Sequence, residues 1–315
     1  MEVQVKRSLV VPPPPRETEE VPLTVFDLVA STYHVTVLFA FSPPSRRRPF
    51  FVTGRGGAGA LVVEAEFEHR GKEFLPHDGV GSRQGQDAGA VRVVDPSEVA
   101  NLLLHYPSEF VAELKRRAQG KYTTFETVSA HVWKKITAVR GLDAGARTSV
   151  NVSVNGRARL GMATVPNSFF GNLIINASSG ATARELTTGT LADAAALVRA
   201  GIRAVDRRYF QSFVDFGALH VDGVGGEEVP LEPANVDDPG VLSPDVDSDS
   251  WLHLELHRLD LGHGGRLAGI LPAKVPEDGV VVVMPSLRKG GGVEVFVALW
   301  EKHANELTSI AYTMD

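Results

Sequence analysis

The sequence predicts an α/β or α+β layered fold, and three observations predict it. Short segments dense in β-branched, aromatic or alternating apolar residues recur along the chain, which is the pattern of buried or half-buried strands. Helical segments with legible caps lie between them, most clearly from residue 107 onward. The two kinds of segment do not alternate in a regular βαβ order, so a singly repeated parallel architecture is not indicated. The chain has 315 residues, 43% of them hydrophobic and 22% charged, enough for one large domain or two moderate ones.

Residues 3–10 alternate and read as a strand stopped by the Pro12–Pro15 run. Residues 23–30 form a short turn or helix, and His34-Val-Thr-Val-Leu-Phe-Ala-Phe41 reads as a buried strand. Residues 42–60 break the pattern with Pro43-Pro44, Arg46-Arg47-Arg48 and Gly54-Arg-Gly-Gly-Ala-Gly-Ala60. A strand over 61–68 follows, then a Gly- and Asp-rich surface loop over 75–90. Residues 107–118 form an amphipathic helix with Phe110, Val111 and Leu114 on one face. Thr123-Thr-Phe-Glu126 is a capping box that opens a helix running to Arg140, where Gly141 stops it. Strands are expected at 149–154 and 173–177, and residues 191–220 make one long helix or a pair. An acidic, Pro-containing linker spans 227–239. Strands at 251–256, 267–271, 280–284 and 293–297 precede a terminal helix from Trp300 to Ile310.

Composition excludes several chemistries. With no cysteine, there is no disulfide, thiolate metal site or cysteine nucleophile. The net charge of −6 argues against a nucleic-acid partner. No apolar stretch reaches the ~18 residues of a membrane span, and the N-terminus lacks the apolar core of a secretory signal. The expectation is a cytoplasmic protein without a membrane partner. Gly54-Arg-Gly56-Gly-Ala-Gly59 spells a dinucleotide fingerprint, but a strand-like segment follows it instead of a helix, so it reads as a flexible loop. The ten histidines make no metal-ligand pattern; His253 and His257 lack a third ligand. No Gly-x-Ser-x-Gly elbow is present. His131, on a helix among apolar neighbours, reads as a packing residue.

Several blocks then occur in a recognisable order: Thr124-Phe-Glu-Thr-Val-Ser-Ala-His-Val-Trp133, Ser153-Val-Asn-Gly-Arg-Ala-Arg-Leu160, Phe169-Phe-Gly-Asn172, and Ser250-Trp251 followed by Asp260-Leu-Gly-His-Gly264. Together with Thr24-Val-Phe-Asp27 and the tail from Val295 to Asp315, they resemble the BAHD acyltransferases of plants, and most closely members that acylate amines such as agmatine or tryptamine with hydroxycinnamoyl groups. The resemblance implies a chloramphenicol-acetyltransferase-like α/β fold of two domains. Residues 1–106 would be a reduced N-terminal domain with an irregular segment at 42–60, and residues 107–315 the C-terminal domain.

The resemblance also implies a reaction: transfer of an acyl group from coenzyme A to an amine. An alcohol acceptor in the same family is the alternative, as is an inactive binder of acyl-CoA or phenolic ligands, or a truncated gene product. The donor is a co-substrate and no permanently bound cofactor or metal is implied. The partners are small molecules and the expected state is a monomer. By resemblance, Trp251, Asp249, His34 and Arg157 contribute to the substrate and coenzyme A channel. Asp260, Gly262, Gly264, Gly171 and Asn172 hold its architecture. The acidic residues Asp245, Asp247 and Asp249 have two readings, an attractor for a cationic amine or an exposed acidic turn.

Departures from the family pattern are equally specific. The His-x-x-x-Asp-Gly motif that supplies the general base is missing, so no catalytic residue is assigned. The nearest spacings are His69 to Glu73 and His105 to Glu109, outside the matching blocks. Asn155 stands where the family has Asp, and Leu261 and His263 where it has Phe and Trp.

Overall fold

The computed structural model describes residues 24–29, 37–41, 94–161, 163–165, 169, 171–221, 243–255, 258–259, 267–272 and 275–314. The elements, in chain order, are α1 (Val25–Val29), β1 (Val37–Phe41), β2 (Val99–Tyr106), α2 (Ser108–Arg117), α3 (Thr124–Arg140), β3 (Arg147–Asn155), α4 (Gly156–Leu160), β4 (Ile174–Thr182), α5 (Ala183–Thr188), α6 (Leu191–Ala204), α7 (Arg207–Val221), β5 (Val246–Ser250), β6 (Leu267–Pro272), β7 (Val280–Pro285), β8 (Val293–Trp300) and α8 (Glu301–Ile310). The strands expected at 3–10 and 61–68, the glycine loop at 54–59 and the linker at 227–239 lie outside the described residues.

Six strands form one mixed sheet in the order β2-β8-β7-β5-β3-β4, in which β5 runs parallel to both β3 and β7. A separate antiparallel pair joins β1 to β6. The period of two along each strand divides the large sheet into two unlike faces. One face carries Val150, Val152, Val246, Val281, Val283, Val295, Val297 and Leu299, all packed in the main core with Trp133 and Ile136 of α3. Helices cover this face, with α3 buried almost throughout.

The capping box on α3 forms as the sequence implies. Glu126 accepts from the Thr123 backbone N–H at 2.7 Å, and Thr123 Oγ1 accepts from the Glu126 N–H at 3.2 Å. Gly141 ends the helix with φ 58°, a left-handed conformation that glycine adopts without steric cost. On this buried helix Trp133 Nε1 donates to Thr148 Oγ1 at 3.2 Å, and the Ser129 and Ser248 hydroxyls lie 2.8 Å apart. Arg140 makes a buried ion pair with Asp278 at 2.8 Å and donates to the carbonyls of Pro244 and Asp245. Burial pulls the Arg140 guanidinium below its usual pKa, and the neighbouring Asp278 opposes that. The tail after α8 is tied to the same helix. His131 Nε2 and the Tyr106 hydroxyl donate to the Ala311 carbonyl at 2.8 and 3.2 Å, and Lys135 Nζ donates to Thr313 Oγ1 at 2.7 Å.

Residues 191–220 are a pair of helices. Asp206 separates them and accepts from the Tyr209 N–H at 3.0 Å, a cap for the second helix. Phe210 and Phe213 of α7 pack with Phe26 of α1 in a second apolar cluster.

Two findings change the expected layout. The strand assigned to 251–256 lies one step earlier, at Val246–Ser250, while residues 251–254 turn. Of the alternating leucines that suggested a strand, Leu252 packs against the main core while Leu254 is 55% exposed. The second concerns residues 99–106. They lie on the N-terminal side of the expected boundary at 107, yet they form β2 and pair along their whole length with β8.

Candidate functional site

The face of the large sheet turned away from the helices carries polar groups on β3 and β5 and on β2 and β8, with a small apolar cluster between them. Parallel pairing of β3 with β5 brings Ser149, Asn151 and Ser153 beside Asp245, Asp247 and Asp249. Asp245 Oδ1 accepts from the Ser149 N–H at 2.7 Å, and Asp247 Oδ1 accepts from Asn151 Nδ2 at 2.8 Å. Asp249 accepts from the Ser153 side chain and backbone, but burial dominates and pushes its carboxyl above the ordinary carboxylate range. The acidic residues therefore form a hydrogen-bonded ladder on a strand, and the exposed-turn reading does not hold: Asp245 is only 5% exposed.

Trp251 follows Asp249 by two residues and is half-buried. Its N–H extends the β5–β7 ladder by donating to the Val283 carbonyl at 2.8 Å. Its ring packs against a small apolar cluster of Val99, Val282, Met284, Phe296 and Ala298. This places a flat aromatic side chain next to a desolvated carboxylate.

The same face carries a second polar group at the other side of the sheet. His105 on β2 lies directly opposite Glu294 on β8. Glu294 Oε1 accepts from His105 Nδ1 at 3.0 Å, from the Ser286 hydroxyl at 2.9 Å and from Arg288 Nε at 2.9 Å. Glu294 Oε2 is buried without a hydrogen-bond partner among the described residues. The spacing to Glu109 did not reveal this arrangement. A charged residue inside the apolar run Val293-Glu-Val-Phe-Val was the available signal, because a carboxylate on a packed strand requires partners.

Arg157 and the Phe169–Asn172 turn come together at the far end of β3. Asn155 caps the short α4 by accepting from the Arg157 N–H at 3.0 Å. Arg157 Nη2 donates to the Gly171 carbonyl at 2.8 Å and to that of Phe169 at 3.4 Å, and its guanidinium lies over the Phe169 ring. Asn172 donates through both its N–H and Nδ2 to Asp27 Oδ1, at 3.3 and 2.9 Å. The other oxygen of Asp27 accepts from the Thr24 N–H and hydroxyl. One carboxylate thus caps α1 and grips the turn, joining residues 24–29 to the rest of the fold. Gly156 is required here: a Cβ at that position would lie 2.4 Å from the Phe210 ring.

His34, Asp260, Gly262 and Gly264 lie outside the described residues, as does His257. His253 is exposed on the turn after Trp251. His131 is buried among the Tyr106 and Phe110 rings, as its apolar neighbours implied. Among the described residues, no group of three or more metal-ligating side chains occurs, and no helix is long and apolar enough to cross a membrane.

Comparison with known proteins agrees with this architecture. The model of the Transferase family matches residues 93–314. Tryptamine benzoyltransferase 1 of Oryza sativa subsp. japonica is 38% identical over 250 residues, covering 79% of this chain and 54% of the relative. Agmatine coumaroyltransferase-1 of Hordeum vulgare is 34% identical over 261 residues, covering 80% and 56%. The chain spans about half the length of the curated relatives it matches. Among solved structures, F. graminearum TRI101 complexed with coenzyme A and deoxynivalenol superposes with a TM-score of 0.56 at 20% identity, covering 75% of this chain and 54% of that one. Vinorine synthase gives 0.51 at 20% identity, covering 69% and 48%. With a family match across the whole of the large sheet and its helices, the chain belongs to the Transferase family, the family of the BAHD acyltransferases.

Proposed function

We propose that this protein is an acyl-CoA-dependent acyltransferase that moves a hydroxycinnamoyl or benzoyl group onto a small amine. The observation that carries the reading is the identity, 32–38%, to tryptamine, agmatine and putrescine acyltransferases across nearly four-fifths of the chain. The site chemistry supports it. Trp251 offers an aromatic wall for a phenolic ring, and the Asp249 carboxylate beside it suits a cationic amine. Arg157 enters this reading as the residue that fixes the Phe169–Gly171 turn rather than as a direct ligand of coenzyme A. Residues 1–106 are proposed to derive from the family's N-terminal domain and residues 107–315 from its C-terminal domain, with β2 completing the C-terminal sheet. The protein would act in the cytoplasm as a monomer, with acyl-CoA as co-substrate and no resident cofactor.

Incubation with coumaroyl-CoA and tryptamine or agmatine, with product read by mass spectrometry, tests this. Amide formation above the buffer rate is the expected result. Preferred acylation of an alcohol would move the reading to an O-acyltransferase. The missing His-x-x-x-Asp motif favours a second reading, a ligand binder without turnover, which a thermal shift with coumaroyl-CoA but no product would establish.

A further inference from the structure

We infer that Asn155–Gly156 is a site of non-enzymatic deamidation that the fold holds closed, and that release of the Phe169–Asn172 turn opens it. Asn155 is the only asparagine of the chain followed by glycine. Glycine has no Cβ to shield its nitrogen and lets the backbone rotate freely. The Gly156 nitrogen is therefore the least hindered of those that follow an asparagine. A bulkier residue does not fit in its place, because a Cβ at 156 would lie 2.4 Å from the Phe210 ring and 2.9 Å from Leu173 Cγ. The packing of α7 against the start of α4 thus fixes a reactive pair in the chain. Asn155 itself is exposed, so water reaches its amide and ammonia has a way out.

Three features of the folded corner oppose the reaction. Ring closure needs the Gly156 nitrogen to swing to the side of Asn155 that bears Cβ, and at φ −76° and ψ 111° it points away. The Gly156 N–H donates to the Leu173 carbonyl at 2.8 Å, which ties that nitrogen to the neighbouring segment. Asn155 Oδ1 accepts from the Arg157 N–H at 3.0 Å, which turns the side chain toward α4. The Leu173 acceptor is placed in turn by the residues before it. Asp27 takes both Asn172 donors, at 3.3 and 2.9 Å, and the Arg157 guanidinium holds the Gly171 carbonyl at 2.8 Å. A carboxylate on α1 and a guanidinium on α4 therefore guard the Asn155 amide from a distance.

The step balances with water as the co-reactant. The Gly156 nitrogen bonds to Asn155 Cγ, the bond from Cγ to Nδ2 breaks, and the Gly156 proton leaves with Nδ2 as ammonia. The product is a cyclic imide, and water then cleaves one of its two ring C–N bonds. Cleavage at Cγ gives aspartate at 155, whose carboxylate still caps α4. Cleavage at the backbone carbonyl gives isoaspartate, with the chain rerouted through Cβ and Cγ and one methylene longer. Phe210 and Leu173 leave Gly156 no space to shift, and an interior packed to this density registers a single methylene. The isoaspartyl form should therefore lose the contact between α4 and α7, while the aspartyl form keeps it.

The test ages the full chain at neutral pH, folded and in urea, and maps its peptides by mass spectrometry with fragmentation that separates aspartate from isoaspartate. In urea, Asn155 is expected to convert before any other asparagine. In the folded protein its conversion should be at least about tenfold slower, because a corner open less than a tenth of the time reacts at less than a tenth of the unfolded rate. Asp27→Ala and Arg157→Ala, each checked for cooperative melting, should raise the folded rate at Asn155 and leave the rate at Asn305 on α8 unchanged. Asn155→Asp should melt with the wild type, and protein enriched in the isoaspartyl form should melt lower. Conversion of another asparagine first in urea overturns the site. Equal rates in folded and unfolded wild type overturn the guard, as does an unchanged Asn155 rate in either variant that folds. Hydrogen exchange at the Gly156 amide of the wild type reads the guard without any variant, and protection below about tenfold overturns it. An isoaspartyl form that melts with the wild type overturns the packing consequence.

Discussion

The two faces of the six-stranded sheet are made by the same strands and do different work. Along β8, Val293, Val295, Val297 and Leu299 enter the helix-covered core, while Glu294 projects to the other side beside His105. Along β5, Val246 and Ser248 face α3, while Asp247 and Asp249 pair with residues of β3. The contrast teaches where to look for each property. Changes on the helix side should alter stability, whereas changes on the polar side should alter ligand binding and pH response.

Breaking the helix side should have the largest effect. Arg140→Ala leaves Asp278 buried without its ionic partner, and such a loss costs about 3–5 kcal/mol. Urea unfolding monitored by circular dichroism measures it; a change below 1 kcal/mol would mean that the pair is not a strut of this face. A smaller loss is expected at the junction with α7. Gly156→Ala introduces a methyl group into the Phe210 ring and Leu173, and overpacking of this kind costs roughly 1–3 kcal/mol. The same unfolding measurement reads it, and an unchanged midpoint would show that the Phe210 ring can move aside.

The polar side supplies the smallest effect and the opposite sign. Burial raises the Asp249 pKa in the folded protein. The contribution of the carboxyl to stability is thus full below its unfolded pKa and is lost as pH rises through the folded one. Asp249→Asn removes that loss, so its melting temperature at pH 7 should exceed the wild type's by about 2 °C, with no gain near pH 3. Loss of stability at pH 7 would mean that the ladder with Ser153 outweighs the cost of burial, and the two faces would be less distinct than described.

What could be read from the sequence follows the range of the interactions involved. The limits of α3 were legible because a capping box and a terminal glycine act within a single turn. The strand β5 was not, because Val246-Asp-Ser-Asp-Ser250 has the texture of a turn and becomes a strand through partners elsewhere. Asn151 reaches Asp247 across 96 residues, and Ser129 meets Ser248 across 119. The segment after Trp251 misled in the converse way, since Leu252 and Leu254 alternate as in a strand while residues 251–254 turn. His105 was read against Glu109, four residues away, while the carboxylate it contacts is 189 residues away. The family resemblance was legible because its blocks are local and ordered, but it did not give Arg157 its partners, the carbonyls of Phe169 and Gly171.

The anchoring of the tail on α3 has a consequence for biosynthesis. The Ala311 carbonyl that receives His131 and Tyr106 is made 180 residues after His131 and 205 after Tyr106. At about 5–20 residues per second, a ribosome takes roughly 10–35 s to cover the shorter of those intervals. During that time α3 has left the tunnel with its final acceptor not yet synthesised. The central helix of this domain is thus secured by residues translated long after it, and a nascent chain stalled before residue 311 would offer its buried polar side to chaperones or proteases.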